Sequence, residues 1–285
     1  GALTISAPAQ EVSLNRAGNR YGGLVTVNAG AVTIETPGAL QIALNASAQS
    51  SITAGASLSL TGVLGGDANL TLSAGGATSL GALNVGGSLS LSSGGPVSQS
   101  STAVVQVRGA TSISTSGQSV TLDNASGNDF SGLVTVTGSA IRLGSKSALS
   151  VILDSADSST ITARGALAVS GTARGSDKKL TLASLGSTVL GRVGAGGGLT
   201  VSGALALTST GAVTQSGAIQ VGGVSTVIAT GQSVTLTHSQ NDFGGAIAVT
   251  GAAVSIRDSS SLQADLTASG DVSVVAAASV DLAGN

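Results

Sequence analysis

The chain has 285 residues, 41% of them apolar, yet only Tyr21, Phe130 and Phe243 are aromatic, and Met, Cys and Trp are absent. Eleven basic and 13 acidic residues give a formal net charge of −2, with no basic stripe to neutralise phosphates, which argues against nucleic-acid binding. A charged fraction of 8% with a mean hydropathy of +0.44 excludes a disordered chain, and zero cysteines exclude a disulfide framework or a thiolate metal site.

In chain order, the expected elements are short strands marked by apolar–polar–apolar triplets, a period-2 alternation. They are VSL at Ser13, VTI at Thr33, ITA at Thr53, LTL at Thr71, LSL at Ser90, VQV at Gln106 and VTL at Thr121. The series continues with IRL at Arg142, ITA at Thr162, LTL at Thr181, LTV at Thr200, IQV at Gln220, VTL at Thr235, VSI at Ser255 and VSV at Ser273. Intervals of 15 to 21 residues with Gly, Ser, Asn or Asp turns between them describe a chain wound into coils, each triplet stacked on its equivalent one coil later. Fifteen triplets predict about fifteen coils of an all-β parallel β-helix (β-solenoid), a rod on the order of 70 Å, with no helical domain. The 43 glycines are expected to serve turns with positive φ.

A longer repeat overlies this beat. NRYGGLVTV at 19–27 returns as NDFSGLVTV at 128–136 and NDFGGAIAV at 241–249, placing the three aromatics 109 and 113 positions apart. Extending the match outward gives copies 1–108, 109–222 and a partial 223–285, read as one continuous β-helix with six triplets per full copy. Asn19, Asn128 and Asn241 precede Tyr21, Phe130 and Phe243 by two positions. The ring is expected to plug a locally wider coil while the Asn side chain satisfies turn backbone groups; the alternative is an exposed ring stacking on sugar.

The blocks GAVTQSGAIQVGG, SVTLTHSQNDFGGAIAVTGAAVSIRDSSSL and GQSVTLDNASGNDFSGLVTVTGSAIRLGSKSAL resemble the repeat region of filamentous haemagglutinin-like exoproteins, the secreted partner of bacterial two-partner secretion systems. The resemblance covers essentially the whole chain. It implies a right-handed parallel β-helix, secreted through an outer-membrane transporter to the bacterial cell surface, forming the shaft of an adhesin, biofilm-matrix protein or toxin-delivery stick. The start, GALTISAPAQ, has neither a basic n-region nor an apolar h-region, so the chain reads as an excerpt of a longer mature protein. With no apolar run of about 18 residues, no stable membrane insertion is expected.

Little in the sequence suggests catalysis, and no catalytic, cofactor or metal residue is assigned. His238 is the only histidine and reads as a solvated turn residue. Asp154 with Asp157, and Asp258 with Asp265, come close in sequence and are the acid pairs considered, while Asp129 and Asp242 lie far apart at equivalent repeat positions. GGDAN at 65–69 resembles half of a calcium-binding nonapeptide but occurs once. Thr33, Thr53 and Thr71 at coil spacing suggest an ice-binding row, which Ser90, Gln106, Arg142 and Gln220 are expected to interrupt. The expected function is a structural and adhesive shaft that is not an enzyme and needs no cofactor. A carbohydrate-binding β-helix is the alternative, and a β-helix lyase or hydrolase the third reading. Expected partners are a glycan or cell-surface receptor, the transporter during export, and, through unpaired strands at open ends, further copies by end-to-end self-association.

Overall fold

A computed structural model describes residues 1–284 as an all-β parallel solenoid of about 14 turns, with no helix among the described residues. Two compact units divide it, Gly1–Gly138 and Ser139 onward, each built by the same rule. Strand alternation sets that rule. In Leu40–Ala46, the side chains of Leu40, Ile42, Leu44 and Ala46 point inward at 1–3% exposure, while Gln41 and Asn45 face solvent. Ile42 lies between Val25 of the preceding coil and Leu60 of the next. The inward positions of both faces are filled chiefly by Ala, Val, Leu and Ile, and each fully buried Val, Leu or Ile contributes about 1.5–3 kcal/mol.

Each coil of the first unit carries two strands, one on each of two faces. The first face stacks Leu3–Ala7, Leu24–Ala29, Leu40–Ala46, Leu58–Leu64 and Thr78–Val85 in parallel register. The second stacks Val12–Leu14, Val32–Thr36, Ser50–Ala54, Leu70–Ala74, Leu89–Ser93, Thr111–Thr115 and Leu133–Gly138. After Thr78–Val85 the first face splits. That strand is followed by two short pieces, Val97–Gln99 and Val105–Val107, and these by Val120–Leu122 and Asp129–Phe130.

The second unit repeats the design. One face stacks Ile141–Ser145, Ser159–Ala163, Lys179–Ser184, Ala204–Ser209, Ser225–Ile228, Ile247–Gly251, Leu262–Ala268 and Val280–Gly284. On its other face Leu167–Ala173 gives way to Thr188–Leu190 with Leu199–Val201, then Val213–Gln215 with Ile219–Val221, then Val234–Leu236 with Asp242–Phe243.

Register corrects three expectations. The triplets do not form one stack: Ser90 pairs with Ser112 on the second face, whereas Gln106 pairs with Asn84 and Asp129 on the first. A repeat copy is also not six coils. The matching strands Leu3–Ala7 and Thr111–Thr115 lie on opposite faces, eleven half-turns apart, so the period is five and a half coils.

Glycine is the third. Among the described residues only eight glycines have positive φ, Gly66 and Gly117 among them. More of them serve close approach between coils. A Cβ on Gly75 would stand 2.2 Å from the Gly55 carbonyl oxygen, and one on Gly94 would stand 2.3 Å from that of Gly75. Inward Ser and Thr complete the corners: Thr78 donates to Ser93 at 3.0 Å and Ser93 to the Gly76 carbonyl at 2.8 Å, while Ser184, Thr188 and Ser209 form a buried hydroxyl cluster in the second unit.

Candidate functional site

The split coils are where the repeated signature residues gather. In the first unit Asn128 is fully buried, and all four of its side-chain hydrogen-bonding positions are used. Its Oδ1 accepts from Val105 N at 2.9 Å and from Gln99 Nε2 at 3.1 Å; its Nδ2 donates to Leu122 O at 3.0 Å and to Gln99 Oε1 at 2.6 Å. Asn241 in the second unit does the same with Ile219 N (3.0 Å), Gln215 Nε2 (2.8 Å), Leu236 O (3.1 Å) and Gln215 Oε1 (2.9 Å). A reciprocal Asn–Gln amide pair thus ties one split coil to the next. It satisfies backbone groups that the gap between the short strands leaves without a ladder partner.

Asn19 keeps one element of the pattern, donating to Leu14 O at 2.8 Å. Phe130 and Phe243 are 1% and 2% exposed, filling the inner column at Val107 and Val221 respectively. That burial leaves neither ring available to a sugar. Tyr21 is half-exposed; burial of its hydroxyl raises the phenol above its usual range, partly offset by Asn19.

Gln99 and Gln215 were not singled out from sequence, although the echo of PVSQSS in AVTQSG carries them at matching places. Asp258 was also missed in its actual role. It is 1% exposed and accepts from Phe243 N at 2.8 Å, Ser260 N at 2.6 Å and Ser260 Oγ at 2.8 Å, so it anchors the aromatic turn. Asp265 lies exposed on the strand of the opposite face, and the two form no acid pair.

Asp154, Asp157 and Asp177 lie beside bases. Asp154 pairs with Arg174, and Asp157 lies 3.5 Å from Lys178 Nζ, which is 3.5 Å from Asp177 as well. The Ser158 backbone N–H, and then the Lys178 charge, hold the Asp157 carboxyl below its usual range. Asp129 and Asp242 sit outward, each stacked beneath a Gln, Gln106 and Gln220. His238 is a half-buried turn residue whose Nδ1 accepts from Gln240 N at 3.2 Å. In GGDAN, Asn69 Oδ1 accepts from Ser88 N at 2.8 Å, bracing the turn against the next coil. Among the described residues no group of three or more His, Asp or Glu is placed to hold a metal ion.

The most regular outward chemistry lies on the second face of the first unit. Ser13, Thr33, Ser51, Thr71, Ser90, Ser112 and Thr135 stack in one column, coil upon coil. A neighbouring column holds Glu35, Thr53, Ser73, Ser92, Ser114 and Thr137. Gln106 does not break this hydroxyl array, because it belongs to the other face. A groove of about 330 Å³ runs beside the first column, flanked by Gln49, Asn69 and Ser88 and bordered by Thr71, Ser90, Ser112 and Thr135.

A family model described as repeats of unknown function (DUF5649) matches residues 65–137 and 175–250, together just over half of the chain. Each matched stretch contains one full set of split strands with its amide pair, Gln99–Asn128 in the first and Gln215–Asn241 in the second. No curated protein and no solved structure matches the chain.

Proposed function

This chain belongs to the DUF5649 family of repeats of unknown function, and from that premise we propose that it is the structural and adhesive shaft of a secreted bacterial surface exoprotein, projecting a binding or effector region from the cell. The observation that carries the reading is the direction in which the repeated chemistry points. Asn128, Asn241, Phe130 and Phe243 are buried, and the amide pairs join successive coils instead of facing a ligand. A sequence that repeats its cohesive residues and varies its outward ones is built for length and stiffness. The finer identity, a filamentous haemagglutinin-like repeat exported by two-partner secretion, is supported by the likeness of the GAVTQSGAIQVGG and NDF blocks.

A second reading, a carbohydrate-binding β-helix, is favoured by the groove beside the Ser/Thr column on the second face of the first unit. Screening the purified chain against bacterial and host glycans, with its monomeric state checked by light scattering, separates the two. The shaft reading expects no reproducible binding; saturable binding by a monomer replaces it with the second.

A further inference from the structure

We infer that the face formed by Leu3–Ala7, Val12–Leu14 and Tyr21 docks a segment of another polypeptide, a Gln-bearing split coil of this same repeat, by parallel strand addition. The inference goes beyond the shaft reading and holds whether or not the chain binds sugar. By the repeat, Leu14, Asn19 and Tyr21 correspond to Leu122, Asn128 and Phe130, and to Leu236, Asn241 and Phe243. In the two later copies all three side chains are at most 2% exposed, whereas in the first copy all three are half-buried. The difference is one neighbouring coil. Val97 and Val107 stack on Val120 and Phe130, and Val213 and Val221 on Val234 and Phe243. Among the described residues, Leu3–Ala7 and Val12–Leu14 have a parallel neighbour on one side only, Leu24–Ala29 and Val32–Thr36.

Hydrogen bonding identifies the occupant. An open apolar strand edge accepts many strands, but Asn19 selects among them. Asn128 makes one side-chain bond within its own coil, to Leu122 O, and three to the coil on which it stacks, at Val105 N and both polar atoms of Gln99. Asn241 divides its bonds in the same way between Leu236 O on one side and Ile219 N and Gln215 on the other. Asn19 keeps the bond within its own coil, to Leu14 O at 2.8 Å, and so lacks the three that a Gln and a strand N–H supply. The two split coils of this chain already have neighbours on both sides, so neither is free to fill the place. The open strands of a second copy, VSVVA at Val272–Ala276 and VDLAG at Val280–Gly284, carry no Gln and leave Asn19 unmatched. A segment resembling residues 89–107 meets all three requirements, with strands for both edges, a Val over the Tyr21 ring and a Gln for Asn19.

The test is titration of the full chain with a synthetic peptide of residues 88–108. A second protein carries the same segment fused ahead of Gly1, reproducing the Arg108–Gly109 junction of the internal copy. Tyr21 is the only tyrosine and Trp is absent, so phenol absorbance reports on this face alone. Burial already raises the Tyr21 phenol above its usual range, and a coil laid over it is expected to raise it further, because burial disfavours the phenolate. Exchange of the edge-facing amides of Leu3–Ala7 is expected to slow roughly tenfold or more at saturating peptide and in the fusion. Gln99→Ala in the added segment, or Asn19→Ala in the chain, is expected to remove most of that protection, and the two together no more than either alone. Protection that survives Gln99→Ala means an unselective edge and overturns the proposal. Protection in the fusion but none with free peptide overturns docking between polypeptides, and no protection in either overturns the split-coil assignment altogether. Burial of Tyr21 that grows with the concentration of the unmodified chain, alongside its light scattering, assigns the face to a second copy and overturns it as well.

Discussion

At the residue scale, the stability of a split coil depends on a few side chains with no spare hydrogen-bonding capacity. Replacing Asn128 by Ala strands Val105 N and Leu122 O inside the protein and removes the partner of Gln99 Oε1, while Gln99 Nε2 keeps the Ala103 carbonyl. A loss of about 3 kcal/mol or more is expected in chemical denaturation. Because Gln99 meets the same amide, the double variant with Gln99→Ala is expected to cost less than the sum of the singles by about 1–2 kcal/mol, the signature of a coupled pair. Phe130→Ala, at 1% exposure, is expected to cost about 3–5 kcal/mol; a cost under about 0.5 kcal/mol would place the ring outside the core. The exposed Asp157 behaves differently. Its carboxyl is held below the usual 3.8, so its stabilising contribution is complete above that pH and disappears as the pH falls through the lower folded value. Asp157→Asn should therefore flatten the acid limb of the melting-temperature profile, and only slightly, because solvent screens the pair.

At the element scale, strand placement was legible and strand partnership was not. The VTL-type triplets do mark strands, as at Val120–Leu122 and Val234–Leu236, because alternation of a branched apolar residue with Thr suits a half-buried pleat. Yet nothing local tells the LSL at Ser90 that its neighbour is Ser112 and not Gln106. That choice is made by how many residues the intervening coil spends on turns. Glycines show the same division. Their abundance at turns is plain in sequence, but the demand at Gly75 comes from the Gly55 carbonyl oxygen, one coil away. Gly75→Ala is expected to destabilise by about 1–3 kcal/mol through steric crowding, whereas Gly18→Ala, whose added Cβ meets open space, is expected to change stability by less than about 0.5 kcal/mol in the same denaturation assay.

At the scale of the whole molecule, each coil contacts chiefly its neighbours, so stability is expected to be graded along the chain. The strands Val272–Ala276 and Val280–Gly284 are largely exposed, with Val280 at 46% and Leu282 at 53% despite lying in register with the inward Leu262 and Ala264. Hydrogen exchange in the 285-residue chain should therefore release the amides of these strands well before those of Leu58–Leu64 or Leu167–Ala173, which have parallel neighbours on both sides. Uniform protection along the chain would contradict nearest-neighbour stacking. The sequence by itself determined that this protein is an all-β solenoid of thin coils, because its periodicity of two, its lack of large side chains and its 109- and 113-residue echoes admit few other ways of burying so many small apolar groups. Only the tertiary structure decided which faces the repeats occupy, that the repeated Asn finds a Gln 29 or 26 residues upstream, and that twelve Ser and Thr hydroxyls line up on one surface. These depend on the number of residues in each turn, a quantity that shifts register by half a coil without changing the local pattern of any strand.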